Sequence, residues 1–261
     1  MPAEAAEVTA GHPLGVALGL LRADAPGQIM GAPQSWPAWA VLLPHVLAAT
    51  AHLNPAAADA QVRDDAAGLL DRAGTYLQVH ARLADARPLL ERALAISEAT
   101  HGPDHPNVAG CLNNLALILQ DLGQPGQARP LAERALAIDE AVYGPDYPLV
   151  AIRLSNLAMI LRDLGQPGQA RPLAERALAI GEAAYGPDHP TVATSLNNLG
   201  AILWDLGQPG QAQPLADRAQ AIRRKMEASG PSPGGRNRRR DRARRCRRCR
   251  HLPRLCVDGA G

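Results

Sequence analysis

Four residues near the C-terminal end are of types that could bind a metal ion. Cys246, Cys249, His251 and Cys256 follow the spacing C-x-x-C-x-H-x-x-x-x-C. Cysteine and histidine are the ligands that zinc prefers in proteins. The arginine residues crowded around them oppose a cation, however, and the spacing matches no common zinc module. We therefore predict that the chain binds no metal.

The acidic and histidine residues form no catalytic pattern. Neither G-x-S-x-G nor H-E-x-x-H occurs in the sequence. Asp121 and Glu133 recur only because the sequence around them recurs, which favours solvated helix faces. His101, His105 and His189 stand in short linking segments without a second ligand at a metal-binding spacing. These patterns predict a protein that is not an enzyme, needs no cofactor and has no small-molecule substrate.

Asp121 and Glu133 belong to internal repeats of the sequence. The stretch DLGQPGQARPLAERALAI occupies residues 121–138 and again 163–180, and a copy at 205–222 differs at three positions. A period of 42 residues is typical of stacked units, each too thin to bury its own apolar face. The predicted units span about 65–102, 107–144, 149–186 and 191–227.

Each unit has the pattern of two helices. In the second unit we predict helix A over about 107–122 and helix B over about 125–141, because apolar residues recur there at helical spacing. Gly123 ends the first helix and Pro125 begins the second, as these residue types favour. In the last unit, Gln220 replaces a leucine on the flank of helix B that should meet a following unit. A terminal unit needs such a polar outer face.

The segments LNNLALIL, ARPLAERALAI and GPDHP resemble the 42-residue tetratricopeptide repeats of the kinesin-light-chain type. The resemblance implies an all-α fold, a right-handed α-solenoid of about four helix pairs over residues 61–227. It also implies that packing positions are taken by Leu112, Leu115, Ala116, Leu119, Ala128 and Ala135. Ala132 departs from the family, which usually has a large aromatic residue there.

An N-terminal helical extension is predicted over residues 1–60. Its segment SWPAWAVLLPHVLAATAHL resembles the helical region that precedes the repeats in actinobacterial NB-ARC/STAND regulators. Those regulators carry a nucleotide-binding ATPase, whereas this sequence has no G-x-x-x-x-G-K-[ST] phosphate loop. One alternative is therefore a truncated signalling NTPase regulator, and the other is a generic helix that covers the end of the solenoid.

Polar residues recur on helix A and could bind a partner. In the tetratricopeptide family helix A lines a concave groove, and the resemblance implies a scaffold that binds a protein or peptide there. An asparagine amide can both donate and accept a hydrogen bond, so it suits the backbone of an extended peptide. The predicted groove residues are Asn113, Leu117, Gln120, Ser155, Met159, Arg162, Asn197, Ala201 and Trp204. Their neighbours Asn114, Asn156 and Asn198 are predicted to bond to the adjacent repeat instead.

The charge of the chain is divided between two regions. Residues 223–261 carry a net charge of +11, and residues 1–222 carry −9. We predict a disordered, Arg-rich tail over residues 228–261, because it has few apolar residues to bury. Weak contact with nucleic acid, a zinc site and a shifted reading frame are the alternatives for this segment. No apolar run reaches the length of a membrane span, so we predict a cytoplasmic protein without membrane contact.

Overall fold

A computed structural model describes residues 13–229. Within that range the chain forms ten α-helices and one short 3₁₀ helix, Pro33–Ser35. The α-helices are α1 (Pro13–Asp24), α2 (Trp36–Ala51), α3 (Ala60–Val79), α4 (Leu83–His101), α5 (Pro106–Asp121), α6 (Pro125–Tyr143), α7 (Pro148–Asp163), α8 (Pro167–Tyr185), α9 (Pro190–Asp205) and α10 (Pro209–Ser229). The prediction of an all-α fold is confirmed. The predicted tail lies outside the described residues, and the predicted domain boundaries stay predictions.

The ends of the helices follow from local sequence. Helices α5, α7 and α9 each begin at a proline, which loses nothing at a position where the N–H has no partner. The Nδ1 atoms of His105 and His189 accept hydrogen bonds from the backbone N–H two residues later, so both histidines cap the helix that follows. Gly123 has a φ of 71°, a left-handed conformation that ends α5 at little cost for glycine.

Helices α3 to α10 form four antiparallel pairs that stack in chain order. The first helix of each pair contacts the second, and the second contacts the first helix of the next pair. We call these pairs repeats 1 to 4. The predicted packing residues are confirmed, because Leu112, Ala116, Ala128 and Ala135 are fully buried and Leu115 and Leu119 nearly so. Ala132 is buried too, at the position where the family usually has a large aromatic residue.

Two of the three junctions between repeats have a polar pair at the same two positions, whereas the junction between repeats 3 and 4 has Gly181 and Ser195 there. Between repeats 1 and 2, Ser97 Oγ lies 3.6 Å from Cys111 Sγ. Between repeats 2 and 3, Arg153 Nε donates to Asp139 Oδ2 at 2.6 Å, with both side chains buried. A charge pair in a protein interior needs both partners to offset the loss of water. Repeats with nearly identical sequences thus differ in the side chains that meet at their junctions.

The N-terminal end of the stack is covered by α1 and α2, which both contact α3. Trp39 of α2 is fully buried, and its ring stacks on Tyr76 of α3 with the centroids 6.1 Å apart. Its indole N–H donates to the carbonyl oxygen of Pro26. Among the helices of residues 13–229, none is long and apolar enough to cross a membrane.

Candidate functional site

The first helices of repeats 2, 3 and 4 share one stripe of accessible residues, which we call the helix-A face. On α5 it consists of Asn107, Gly110, Asn114, Leu117 and Asp121, each at least partly accessible. The equivalent residues on α7 are Leu149, Ile152, Asn156, Met159 and Asp163, and those on α9 are Thr191, Thr194, Asn198, Ala201 and Asp205. Because α5, α7 and α9 are neighbours, the three stripes form one surface.

Two of the predicted groove residues lie beneath this face. Asn113 and Ser155 are only 6% and 8% exposed, and each binds the next repeat. Asn156 Nδ2 donates to Asn113 Oδ1 at 2.8 Å, and Asn198 Nδ2 donates to Ser155 Oγ at 2.9 Å. The stripe predicted from helical spacing is therefore rotated by about one residue from the accessible one. Their role in binding a partner stays a prediction.

The three asparagines predicted to bond to the adjacent repeat do so. Asn156 and Asn198 donate to the preceding repeat as described, and Asn114 Nδ2 donates to both carboxylate oxygens of Asp71, at 2.9 and 3.1 Å. This prediction is confirmed. The bonds leave the carbonyl oxygens of Asn156 and Asn198 without a hydrogen bond among the described residues, so both oxygens can accept one from a ligand.

Other predicted groove residues lie on the helix-A face or at its edge. Leu117, Met159 and Ala201 are half-buried and form its apolar centre. Gln120 Nε2 donates to Asp163 Oδ2 at 2.6 Å, and Arg162 makes the equivalent contact with Asp205. Such cross-repeat bonds fix the edge of the face and leave its centre apolar.

Trp204 and Asn197 stand at the open end of the stack. Trp204 occupies the position of Gln120 and Arg162, yet no later repeat covers it within the described residues, and 62% of its surface is exposed. Asn197 Nδ2 is buried and has no hydrogen-bond partner among these residues. Together with Gly200, Ala201 and Ala216, the two residues line a shallow depression of about 220 Å³.

The linking segments carry ring pairs rather than metal ligands. His101 and His105 stack with centroids 4.2 Å apart, and Tyr143 and Tyr147 do so at 4.8 Å in the next linker. His101 Nε2 lies 2.6 Å from Asp64 Oδ1. No group of three or more His, Cys, Asp or Glu side chains is placed to hold a metal ion in the described part of the chain. The candidate zinc ligands near the C-terminus lie outside that part.

Sequence reasoning missed a cavity at the start of the helix-A face. It lies among α1, α3, α4 and α5, and Asp71 and Gly110 contribute to its walls. The available signal was Gly110 itself, a glycine inside a helix where Ile152 and Thr194 stand at the equivalent positions. Glycine is unfavourable inside a helix, so its presence there requires a reason.

Comparisons with known proteins agree with this architecture. The family model described as Tetratricopeptide repeat matches residues 64–141, 110–183 and 151–225, which together exceed half of the chain. No curated protein matches by sequence.

Several solved structures share the fold. A putative kinesin light chain from Podospora anserina with nearly identical TPR-like repeats is 22% identical, with a TM-score of 0.59 over 82% of this chain and 96% of its own. BtubC (BKLC) from P. vanneervenii is 21% identical, with a TM-score of 0.62 over 96% of this chain and 100% of its own. Aspartyl phosphate phosphatase F from Bacillus subtilis is 15% identical, with a TM-score of 0.61, but this chain covers only 54% of it.

At these identities the structures establish the fold alone, whereas the family model matches the sequence itself across all four helix pairs. A stack of such pairs is generally a scaffold for contacts between proteins rather than a catalyst. The chain belongs to the tetratricopeptide repeat family.

Proposed function

We propose that the chain is a non-enzymatic scaffold that binds an extended peptide along the helix-A face. The observation that carries the proposal is the arrangement of this face, in which an apolar row lies beside unused hydrogen-bond acceptors. Leu117, Met159 and Ala201 form the row. A peptide side chain placed on it would gain roughly 25 cal/mol for each Å² of apolar surface removed from water.

The polar groups beside that row suit a peptide backbone. The side-chain oxygens of Asn156 and Asn198 accept no hydrogen bond from the described residues, while their Nδ2 atoms are tied to the preceding repeat. Each amide is therefore held in one orientation with its acceptor open to solvent. A pre-oriented acceptor loses little entropy when it receives a backbone N–H, which favours binding.

The remaining predicted groove residues have supporting roles in this proposal. Asn113 and Ser155 lie beneath the face and hold Asn156 and Asn198 in place. Trp204 and Asn197 extend the surface at its open end, where an exposed tryptophan is a common anchor for partners. The cytoplasm stays the proposed location. Two alternatives drawn from the sequence stay predictions. In one the chain is a truncated signalling NTPase regulator of the NB-ARC type, and in the other its Arg-rich tail contacts nucleic acid.

The proposal is tested by selecting peptides that bind the chain and then measuring how substitutions in the chain change their affinity. Peptides that bind the full-length chain would be selected from a displayed library, and their affinities measured by fluorescence anisotropy. Met159→Glu places a charge in the apolar row and should weaken binding at least about tenfold, since an unpaired charge is costly in an apolar contact. The control Ala183→Glu adds the same charge at an exposed position of α8 and should have no effect. Equal affinities of the two variants would contradict the proposal.

A further inference from the structure

A cavity of about 260 Å³ opens at the N-terminal end of the helix-A face. Its walls come from α1, α3, α4 and α5, and include Arg22, Gly68, Asp71, Gly110 and Cys111. This volume is enough for one long side chain but not for a folded domain. The cavity adjoins the surface proposed to bind a peptide, because Gly110 belongs to both.

Two glycines at equivalent positions line the cavity. Gly68 and Gly110 stand where α7 and α9 carry Ile152 and Thr194. A Cβ atom added to Gly110 would meet nothing within 4 Å, so the glycine is not required by close packing of its neighbours. The space beside Gly110 is therefore open, whereas the space beside Gly68 is taken by Arg22, whose Nη1 would clash with an added Cβ. The equivalent positions of repeats 3 and 4 carry the side chains of Ile152 and Thr194.

Asp71 sets the charge preference of the cavity. Its carboxylate accepts two hydrogen bonds from the Asn114 amide, and no ion pair reaches it among the described residues. Burial raises the pKa of Asp71, although the Asn114 hydrogen bond and the nearby Arg72 and Arg153 charges oppose that shift. Neither arginine forms an ion pair with Asp71, so a cation in contact with its carboxylate would further relieve the cost of its burial.

No other described group of the cavity supplies a counter-charge for Asp71. Arg22 lies over Gly68 in the cavity wall but is held by other groups, because its Nη1 donates to the carbonyl oxygen of Asp64 at 2.9 Å and its Nε lies 3.5 Å from Asp65 Oδ1. Burial raises the pKa of the Cys111 thiol to about 12, so this group is a neutral thiol and not a nucleophile at physiological pH. Of the two carboxylates that line the cavity, Asp64 contacts His101 Nε2 at 2.6 Å, whereas Asp71 has no ion pair among the described residues.

We propose that this cavity binds the arginine or lysine side chain of a peptide that lies on the helix-A face, with Asp71 as its counter-charge. The inference rests on the proposed function and specifies which peptides the scaffold selects. A basic segment is present in the same chain, since residues 236–250 read RNRRRDRARRCRRCR. The basic side chain can thus come from this segment or from a partner.

The experiment measures binding of a fluorescent peptide with the sequence of residues 236–250. The receptor is the full-length chain with the arginines of its own 236–250 segment replaced by glutamine, so that this segment cannot compete. Gly110→Ile fills the cavity with the side chain that Ile152 has at the equivalent position. Asp71→Asn removes the charge and keeps a hydrogen-bond acceptor. Each should weaken binding at least about tenfold, the size of one charge-assisted hydrogen bond.

Gly168→Ile is the matched control. It makes the same exchange at an exposed glycine of α8, outside the helix-A face, where an added Cβ would meet nothing within 4 Å, and it should leave the affinity unchanged. If Gly110→Ile and Gly168→Ile bind the peptide equally well, the cavity is not the site. Failure of every receptor to bind the peptide would equally overturn the inference.

Two further comparisons complete the experiment. The first distinguishes binding in the cavity from binding on the rest of the helix-A face, and the second distinguishes the two sources of the basic side chain. Loss of binding in Met159→Glu with full binding in Gly110→Ile would support peptide binding on the helix-A face and contradict binding of a basic side chain in the cavity. Weaker binding of the peptide to the unmodified chain than to the glutamine-substituted chain would show that its own segment occupies the cavity. Equal binding to both, with the Gly110→Ile loss intact, would assign the cavity to a partner's side chain.

Discussion

Repeats 2 and 4 present the same face of the same structural unit, but repeat 3 covers the face of repeat 2, whereas no described residue covers that of repeat 4. On the covered face, Ala132 is 3% exposed and Leu136 packs against Val150 and Leu154 of the next repeat. On the open face, the equivalent Ala216 and Gln220 are exposed. The comparison shows that Gln220 replaces a leucine at a position that no described residue covers.

The largest effect is expected at the buried charge pair of the covered face. Arg153→Ala leaves Asp139 fully buried without its counter-charge and should lower the free energy of unfolding by about 3–5 kcal/mol. Arg223 occupies the position of Asp139 on the open face and is exposed. Arg223→Ala should change stability by less than about 0.5 kcal/mol. Urea denaturation followed by circular dichroism measures both, and similar values would contradict the comparison.

A smaller effect is expected from exchanging the residues that distinguish the two faces. Leu136→Gln buries a polar amide against repeat 3 and should cost about 1–3 kcal/mol. The reverse change, Gln220→Leu, should leave the unfolding free energy nearly unchanged, because the residue stays in solvent. It enlarges an exposed apolar patch, so we expect it to promote self-association in analytical ultracentrifugation. A large loss of stability in Gln220→Leu would show that the face is covered after all.

Asn113 and Asn197 provide a third matched pair. Asn113→Leu removes the acceptor for Asn156 Nδ2 and should cost about 1–3 kcal/mol, the penalty for an unpaired polar group. Asn197→Leu removes an amide whose nitrogen already lacks a partner among the described residues. It should be neutral or slightly stabilising. Thermal unfolding of both variants checks this prediction, which fails if Asn197→Leu is the more destabilised.

The sequence predicted the repeat architecture well because the relevant signals are local. The 42-residue period, the proline that begins each helix from α5 to α10 and the glycine that follows each helix from α4 to α9 all act within one unit. The buried alanines and leucines follow from helical spacing in the same way. Such signals require no knowledge of how units are arranged.

The candidate site was harder to predict because it depends on how neighbouring units are rotated. Asn113 and Asn114 are adjacent in sequence, so an error of one residue in the helix register exchanges a buried contact for an accessible one. The cavity beside Gly110 involves Arg22 of α1 and Asp71 of α3. No spacing in the sequence connects these three residues, since they meet only through the packing of separate helices.

The smallest effect on stability is expected from Trp204→Ala. The side chain is 62% exposed, so the change in unfolding free energy should stay below about 0.5 kcal/mol. If the open end extends the peptide-binding surface, the same variant should weaken binding of peptides that reach α9. Fluorescence anisotropy with the library-selected peptides measures this loss. Unchanged affinity for all of them would restrict the binding surface to α5 and α7.

The central claim, that the helix-A face binds a peptide, is tested most directly by methyl NMR of the full-length chain. The sequence has four methionines, of which Met159 lies on the helix-A face. Met30 and Met226 are exposed elsewhere, at 59% and 44%, and serve as internal controls. On titration with the tightest selected peptide, the ¹³C-labelled methyl signal of Met159 should shift while those of Met30 and Met226 stay in place. A bound peptide that leaves the Met159 signal unmoved would contradict the account.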